Sequence, residues 1–266
     1  MQFRPTPIRH GLSVPPPASG ASTVLAFSMA KAGSTLLFDI LQMLTPHVGL
    51  TYFSIEDKLF ADNVSPLRRP TSIGNVFAPT GYCYGGFRQF PAFPVPILHS
   101  SKLLFLVRDP RDMITSLYFS LLRSHVVPEG ASGGARGQLL RARGRLEEIG
   151  INRWAVEQSR NYIRMFEGYV AQGFHWRPNV AIYRYEDVIF HKPEWIDDMI
   201  SWCGWQIDGE VLRQVLASVD VTPEAERPEE HIRQVAPGNH KRYLESATIA
   251  AIDQALAEYM SLFGYA

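Results

Sequence analysis

The chain has little lysine, only two cysteines, no basic excess and no long apolar run. The last three of these features each exclude a class of protein. Only five of its 26 basic residues are lysines, and 26 acidic residues bring its formal net charge to zero. Without a basic excess, the sequence predicts no nucleic-acid partner. Its two cysteines form no disulfide framework, so we expect a reduced, cytoplasmic setting. No stretch reaches the roughly 20 apolar residues that span a bilayer, so we expect no transmembrane segment.

What the chain does have is enough apolar sequence for a substantial core, arranged as alternating strands and helices. Hydrophobic residues make up 46% of its 266 residues. Apolar runs at 23–28 and 102–107 predict buried strands, and a pattern of helical period follows each of them. This alternation predicts an α/β fold, a single domain with a central, mainly parallel β-sheet flanked by helices. We place this domain at residues 23–266 and an irregular arm at residues 1–22.

Residues 125–150 differ from the rest of the chain because glycine and arginine replace most large apolar residues. We interpret this segment as a mobile loop with a short helix inside it. Long loops in compact domains are often lids over a substrate, and an ordinary solvated insertion is the alternative. A lid with this many arginines predicts a polar acceptor.

The most informative stretch is "VLAFSMAKAGSTLLFDILQML", residues 24–44, where a strand ends in a tight turn before a helix. Backbone N–H groups and the helix dipole attract anions at such a place, which predicts a phosphate site. Lys31 lies on the turn, and Gly33 lets the backbone approach a ligand closely. The turn differs from the loop of ATPases and GTPases, because its lysine precedes the glycine instead of following it in Gly-Lys-Ser/Thr order.

Two further segments carry cations suited to a second phosphate. In "KLLFLVRDPRDMITSLYFS", Arg108 ends a strand and Ser116 lies eight residues on, in the next helix. Ligands of open parallel sheets bind beyond the carboxyl ends of strands, where an arginine can hold a phosphate with two hydrogen bonds. In "HIRQVAPGNHKRYL", Arg233 lies in a loop and precedes Gly238 and Lys241. The alternative is that these charges form surface ion pairs and a solvated basic turn.

Together these segments resemble, in the right order, the motifs of the sulfotransferase family. "FSMAKAGSTLLFDIL" resembles its 5′-phosphosulfate loop, and "VRDPRDMITSLYF" resembles its 3′-phosphate motif, an arginine followed eight residues later by a serine. "YRYEDV", residues 183–188, resembles the family's Tyr-Glu-Asp after a strand, and "RQVAPGNHK" resembles its last glycine-rich loop. The resemblance implies a P-loop-like fold and 3′-phosphoadenosine 5′-phosphosulfate (PAPS) as co-substrate. It also implies transfer of a sulfuryl group to a hydroxyl or amine of an acceptor.

The resemblance implies roles for individual residues. Five residues of the first turn would hold the 5′-phosphosulfate: Lys31, Ala32, Gly33, Ser34 and Thr35. Three side chains would hold the 3′-phosphate: Arg108, Ser116 and Arg233. Tyr185 would lie near the adenine, and Lys31 would stabilise the charge that grows on the departing nucleotide, so no metal is required. Two departures stand out, since Leu36 and His240 replace tryptophans that are common in the family.

The residue that takes the proton of the acceptor is left open by the resemblance. Many cytosolic members have a histidine in a strand before the 3′-phosphate arginine, whereas "YGGFRQF" has none at that place. Other branches use a glutamate after the first helix, and "FSIEDKLF" offers Glu56 and Asp57 there. A general base is needed for an acceptor hydroxyl, and we choose Glu56 first. His99 and His125 remain alternatives.

Two other functions also remain open on the sequence alone. One is a P-loop kinase-like phosphotransferase, which needs a magnesium-binding acid after a strand, a position that Asp109 fills. The other is a non-catalytic nucleotide-binding module. For an enzyme, the acceptor is expected to be a glycan, a lipid or a small metabolite, with carbohydrate sulfation as the first expectation. The sequence indicates no oligomeric state.

Overall fold

The structure of the protein is a computed structural model that describes residues 12–62, 71–124, 133–220 and 235–265. The chain divides into two compact units. Unit 1 consists of Met1–Val107 and Gly168–Asp220, and unit 2 consists of Arg108–Glu167 and Val221–Ala266.

The described residues contain five strands and ten α-helices, besides short 3-10 and π-helical turns. The strands are β1 (Val24–Ser28), β2 (Thr51–Ser54), β3 (Tyr82–Phe87), β4 (Lys102–Val107) and β5 (Val180–Arg184). The first five helices are α1 (Ser34–Leu44), α2 (Ile55–Ala61), α3 (Pro110–Phe119), α4 (Gly133–Ile149) and α5 (Ile151–Val170). The last five are α6 (Tyr185–Val188), α7 (Lys192–Cys203), α8 (Gly209–Val219), α9 (His240–Tyr243) and α10 (Ser246–Leu262).

All five strands belong to unit 1 and form one sheet in the order β2-β3-β1-β4-β5. Every pair of neighbouring strands is parallel. Helices α1, α2 and α7 pack against strands of this sheet, and α8 packs against α1. The predicted α/β class with a central parallel sheet flanked by helices is therefore confirmed. The runs predicted as buried strands correspond to β1 and β4.

The core of unit 1 explains why β1 and β4 are continuous apolar runs. Both faces of a parallel sheet are covered, so every residue of β1 is buried. On one face the ring of Phe27 packs against Phe87 and Phe174, with centroids 5.0 and 5.1 Å apart. Tyr169 belongs to the same aromatic cluster and donates its hydroxyl to the carbonyl of Ser28 at 2.7 Å. This contact fixes the carboxyl end of β1.

Unit 2 is helical, with α3 packed against α9 and α10. Asp109 caps α3 by accepting a hydrogen bond from the Arg111 N–H at 2.9 Å, and Pro110 occupies the first turn as expected. Helix α4 runs for 17 residues, longer than the short helix expected within 125–150. Leucine, arginine, glutamine and glutamate favour a helix strongly enough to outweigh its glycines. The rest of that segment, residues 125–132, lies outside the described residues, so its role as a lid stays a prediction.

The described part of the N-terminal arm, residues 12–22, runs beside the sheet of unit 1. Tyr82 donates its hydroxyl to the carbonyl of Pro15 at 2.7 Å, and Thr51 donates to Pro16 at 3.1 Å. Cys83 and Cys203 are free thiols. Within the described ranges no helix is both long enough and apolar enough to span a membrane.

Candidate active site

The turn after β1 lies where the order of the strands changes direction. β1 leads to β2 on one side of the sheet, whereas its hydrogen-bonded neighbour β4 leads to β5 on the other side. Met29 follows β1 directly and donates its N–H to the carbonyl of Leu106 on β4 at 3.3 Å. Ligands of open parallel sheets bind at the carboxyl ends of the strands at such a point. The sequence segments with phosphate motifs follow β1 and β4, the two strands that meet there.

The backbone of this turn has a conformation suited to an anion. Lys31 is the one non-glycine residue with a positive φ among the described residues, at 69°, and Gly33 has a φ of 90°. The Ala32 N–H donates to the carbonyl of Met29 at 3.0 Å and closes the turn. Helix α1 then begins at Ser34 with no side-chain cap and no acid in its first turn. The positive end of the helix dipole is therefore not offset by a local carboxylate, which favours binding of an external anion.

Tyr185 packs against this turn. It is the first residue of α6, directly after β5, and only 5% of its surface is exposed. A β-carbon added to Gly33 would lie 2.8 Å from the Tyr185 ring. Glycine is therefore required at position 33 by the close approach of the ring as well as by its φ. The structure thus brings Tyr185 and the predicted phosphosulfate turn together, while the contact of Tyr185 with adenine stays a prediction.

Glu56 lies at the carboxyl edge of the sheet. It is in the first turn of α2, directly after β2, and is half-buried. Burial raises the pKa of the Tyr169 hydroxyl, and the negative charge of Glu56 raises it further. That hydroxyl donates to the carbonyl of Ser28, the last residue of β1, directly before the turn.

Asp57, the neighbouring acid, is engaged in local contacts. It accepts a hydrogen bond from the Ser54 hydroxyl at 2.6 Å, and its N–H donates to the same hydroxyl at 3.1 Å. Its other carboxylate oxygen pairs with Arg88 at 2.9 Å. These contacts cap α2 and connect it to the end of β3, so Asp57 has a structural role, and the role of Glu56 as base stays a prediction.

His99 lies at the opposite end of the sheet from the turn. It precedes β4, whose first residue Lys102 is in register with Val24 at the start of β1. At about 3.3 Å per residue, the length of β1 places His99 roughly 16 Å or more from the turn. Its Nδ1 contacts the guanidinium of Arg177. His99 is therefore not brought together with the other predicted site residues, and His125 lies outside the described residues.

The predicted 3′-phosphate residues Arg108 and Ser116 belong to unit 2. Arg108 follows β4 in the sequence and is buried, with 6% of its surface exposed. Its guanidinium donates to Asp112 at 3.3 Å. Ser116 lies one turn beyond Asp112 on α3 and is half-buried. The run of charges after β4 is therefore not a set of surface ion pairs, because its first arginine and its second aspartate lie inside the protein. Arg233 lies outside the described residues.

Asp112 is a residue of this region that the sequence suggests only as part of a surface ion pair. Its side chain is fully buried and accepts hydrogen bonds from the N–H groups of Gly238 and His240 at 2.7 and 2.9 Å. The Nδ1 atom of His240 lies 2.7 Å from the same carboxylate. Burial alone would raise the pKa of Asp112, but the hydrogen bond from His240, the charge of Arg108 and the two backbone N–H groups hold the pKa well below its usual value. The only signal in the sequence was the four-residue spacing from Arg108.

Comparison with known families decides the assignment. The sequence profile described as "Sulfotransferase domain" matches residues 89–264, about two thirds of the chain. The chain belongs to the sulfotransferase family. The family expected from the motifs is confirmed, and the enzyme is a PAPS-dependent sulfotransferase rather than a kinase or a non-catalytic module. The matched residues include Arg108, Ser116 and Tyr185, whereas the turn after β1 precedes them and depends on its own geometry.

Solved structures show the same fold. Mouse sulfotransferase SULT7A1 complexed with PAP, the 3′,5′-bisphosphate of adenosine, is 15% identical, with a TM-score of 0.59 over 92% of this chain and 85% of that one. Retinol dehydratase in a complex with retinol and PAP is 12% identical, with a TM-score of 0.52 over 91% of this chain and 82% of that one. The same enzyme with androsterone and PAP is 13% identical, with a TM-score of 0.51 over 90% and 80% of the two chains. A comparison with curated protein sequences returns no match.

The residues of this sulfotransferase fit the chemistry of PAPS. The turn after β1 supplies a lysine, two positive φ angles and a helix N-terminus without a local acid. Arg108 supplies a buried guanidinium of the kind that binds phosphate. In the ranges that the structure describes, no three His, Cys, Asp or Glu side chains are grouped as metal ligands. The independence from metal expected from the sequence stays a prediction.

Proposed function

We propose that this sulfotransferase binds the phosphosulfate of PAPS at Lys31–Thr35 and the 3′-phosphate at Arg108, Ser116 and Arg233. The sulfuryl group passes to an acceptor hydroxyl or amine whose proton is taken by Glu56. PAPS supplies the sulfuryl group, and PAP is the product. The roles of the individual residues are assigned from the geometry described above and from the family motifs.

Lys31 is assigned to the leaving group. Its positive φ places it on the arch of the turn, and its ammonium is the nearest cation in sequence to the N-terminus of α1. Negative charge grows on the oxygen that bridges the sulfuryl group and the nucleotide as the bond breaks. A fixed cation beside that oxygen stabilises the transition state more than the ground state. No metal ion is needed in this proposal, because the sulfuryl group carries less charge than a phosphoryl group.

The observation that supports the assignment of the base is the half-buried position of Glu56 in the first turn of α2, directly after β2. Its negative charge raises the pKa of the Tyr169 hydroxyl, which donates to the carbonyl of Ser28 immediately before the turn. The other acid of α2 is held by Ser54 and Arg88. A general base must lie within hydrogen-bond reach of the acceptor, and we assign this role to Glu56.

The acceptor is proposed to be a glycan, a lipid or a small metabolite. Helix α4 carries Arg141, Arg143 and Arg145, which supports the expectation of a polar acceptor if the segment 125–150 acts as a lid. Two of the similar structures contain retinol and androsterone, which are apolar. A panel of acceptors should therefore include sugars, charged metabolites and apolar alcohols.

The decisive test of the base is the Glu56→Gln variant, assayed with labelled PAPS and that panel. We expect turnover to fall by roughly a hundredfold or more, the usual contribution of general base catalysis, with PAP affinity nearly unchanged. Asp57→Asn is the matched control, because it removes the neighbouring acid and its ion pair with Arg88, and it should retain turnover. Normal turnover in Glu56→Gln would show that the base lies elsewhere, with His125 as the next candidate.

A further inference from the structure

The buried carboxylate of Asp112 joins two parts of unit 2 that are far apart in the sequence. It accepts hydrogen bonds from Arg108 on one side and from Gly238 and His240 on the other. Gly238 and His240 lie 126 and 128 residues from Asp112 in the sequence. The two carboxylate oxygens have different partners. Oδ1 contacts His240, and Oδ2 accepts hydrogen bonds from Gly238 and Arg108.

Burying these charged and polar groups costs desolvation free energy, so stability alone does not explain the arrangement. A buried carboxylate loses its hydration, and well-packed apolar side chains of similar volume usually stabilise a fold at least as well. The Asp112 side chain has no exposed surface, and 3% of the His240 side chain is exposed. Every hydrogen bond of the carboxylate restrains either the guanidinium of Arg108 or the chain around Gly238. The network is therefore suited to hold these two groups in fixed places.

We propose that Asp112 and His240 are positioning residues for recognition of the 3′-phosphate. Asp112 orients the guanidinium of Arg108, and His240 locks Asp112 in place through its Nδ1–H. The same contacts anchor the chain at Gly238, five residues after Arg233 in the sequence. This inference rests on the proposed function, in which Arg108 and Arg233 bind that phosphate. The Nδ1 atom of His240 faces the Asp112 carboxylate, so we assign His240 to act through Asp112.

The experiment compares the affinity of His240 variants for PAP and for AMP by titration calorimetry. AMP lacks the 3′-phosphate, so it reports the rest of the nucleotide site and the integrity of the fold. We expect His240→Ala to lower the preference for PAP over AMP by roughly tenfold or more while leaving AMP affinity unchanged. A purely structural role would lower both affinities together and leave the preference intact.

Two amide variants provide a test that does not require the alanine variant to fold. The side-chain nitrogen of asparagine is as many bonds from the backbone as Nδ1 of histidine, whereas that of glutamine corresponds to Nε2. His240→Asn should therefore donate to Asp112 and retain the preference for PAP, and His240→Gln should lose it. Equal preference in the Asn and Gln variants would overturn the inference.

The matched control is Thr115→Val on α3. It removes a buried hydrogen bond, from the Thr115 hydroxyl to the carbonyl of Arg111 at 2.8 Å, without touching Asp112. Its preference for PAP should equal that of the wild type, and a loss as large as that of His240→Ala would overturn the specific role of His240. Absence of any preference in the wild type would instead contradict the proposed function on which the inference depends.

Discussion

The two regions assigned to the ends of the nucleotide are built on different principles. In unit 1 the turn after β1 relies on its backbone, with positive φ angles at Lys31 and Gly33 and no acid in the first turn of α1. In unit 2 the guanidinium of Arg108 is held by a buried carboxylate that accepts three further hydrogen bonds. An anion site can thus be made in two ways. A helix N-terminus can be left without a nearby acid, or a buried acid can hold an arginine in a fixed position. Each of the two anion sites should therefore lose its function under a different perturbation.

The largest effect is expected when the charge of the turn is removed and its backbone is kept. Lys31→Gly and Lys31→Ala both lack the ammonium, and we expect turnover to fall by roughly a hundredfold to a thousandfold in both. PAP affinity should fall much less, because the cation acts mainly in the transition state. Glycine accepts a φ of 69° without strain, so Lys31→Gly should be the more stable variant. Single-turnover rates, calorimetry and thermal unfolding separate these quantities.

The outcome that would contradict this account is a much higher turnover in Lys31→Gly than in Lys31→Ala. It would show that the shape of the turn, and not its charge, limits the reaction. Equal losses in PAP affinity and in turnover would make Lys31 a simple ligand of the anion.

A second perturbation breaks the backbone of the turn directly. In Gly33→Ala the new β-carbon meets the Tyr185 ring at 2.8 Å and the residue keeps an unfavourable φ of 90°. We expect the free energy of unfolding to fall by roughly 1–3 kcal/mol and the affinities for PAP and AMP to fall together. Gly144→Ala on α4 is the control, because its β-carbon would meet no atom within 4 Å. That variant should be stabilised by roughly 0.5–1 kcal/mol, as denaturant unfolding will show.

The smallest effect concerns the dependence of stability on pH in the network of unit 2. The native pKa of Asp112 is held below that of the unfolded chain, so its stabilising contribution is complete above the ordinary aspartate pKa of about 3.9. As the pH falls below that value, the unfolded state takes up a proton that the native state does not, and stability decreases. This single group contributes a slope of up to about 1.4 kcal/mol per pH unit. Asp112→Asn should lack that contribution in unfolding curves between pH 5 and 3, and an unchanged slope would contradict the assignment.

The turn after β1 could be predicted from the sequence because its signals are local. The apolar run of β1, the glycine at 33 and the helical period of α1 lie within 21 consecutive residues. The network around Asp112 could not be predicted in the same way. An aspartate four residues from an arginine usually indicates a surface ion pair, and its burial depends on partners more than a hundred residues away.

The candidate base shows the same limit of sequence reasoning. The motif region supplied both Glu56 and Asp57, and only the structure shows that Asp57 caps α2 through Ser54 and pairs with Arg88 at the end of β3. His99 was an alternative in the sequence, and the parallel register of β1 and β4 places it at the wrong end of the sheet. Helix α4 is longer than its glycine content predicts, because the helix-forming residues between the glycines outweigh them.

The most direct test of the two-site account is a titration of the wild-type protein with PAP and with AMP in the presence of a metal chelator. The contacts that we propose between the 3′-phosphate and Arg108 predict binding of PAP that is roughly tenfold to a hundredfold tighter than that of AMP. The affinity for PAP should not change when magnesium replaces the chelator. Equal affinities for the two nucleotides, or binding of PAP only with added metal, would contradict the account.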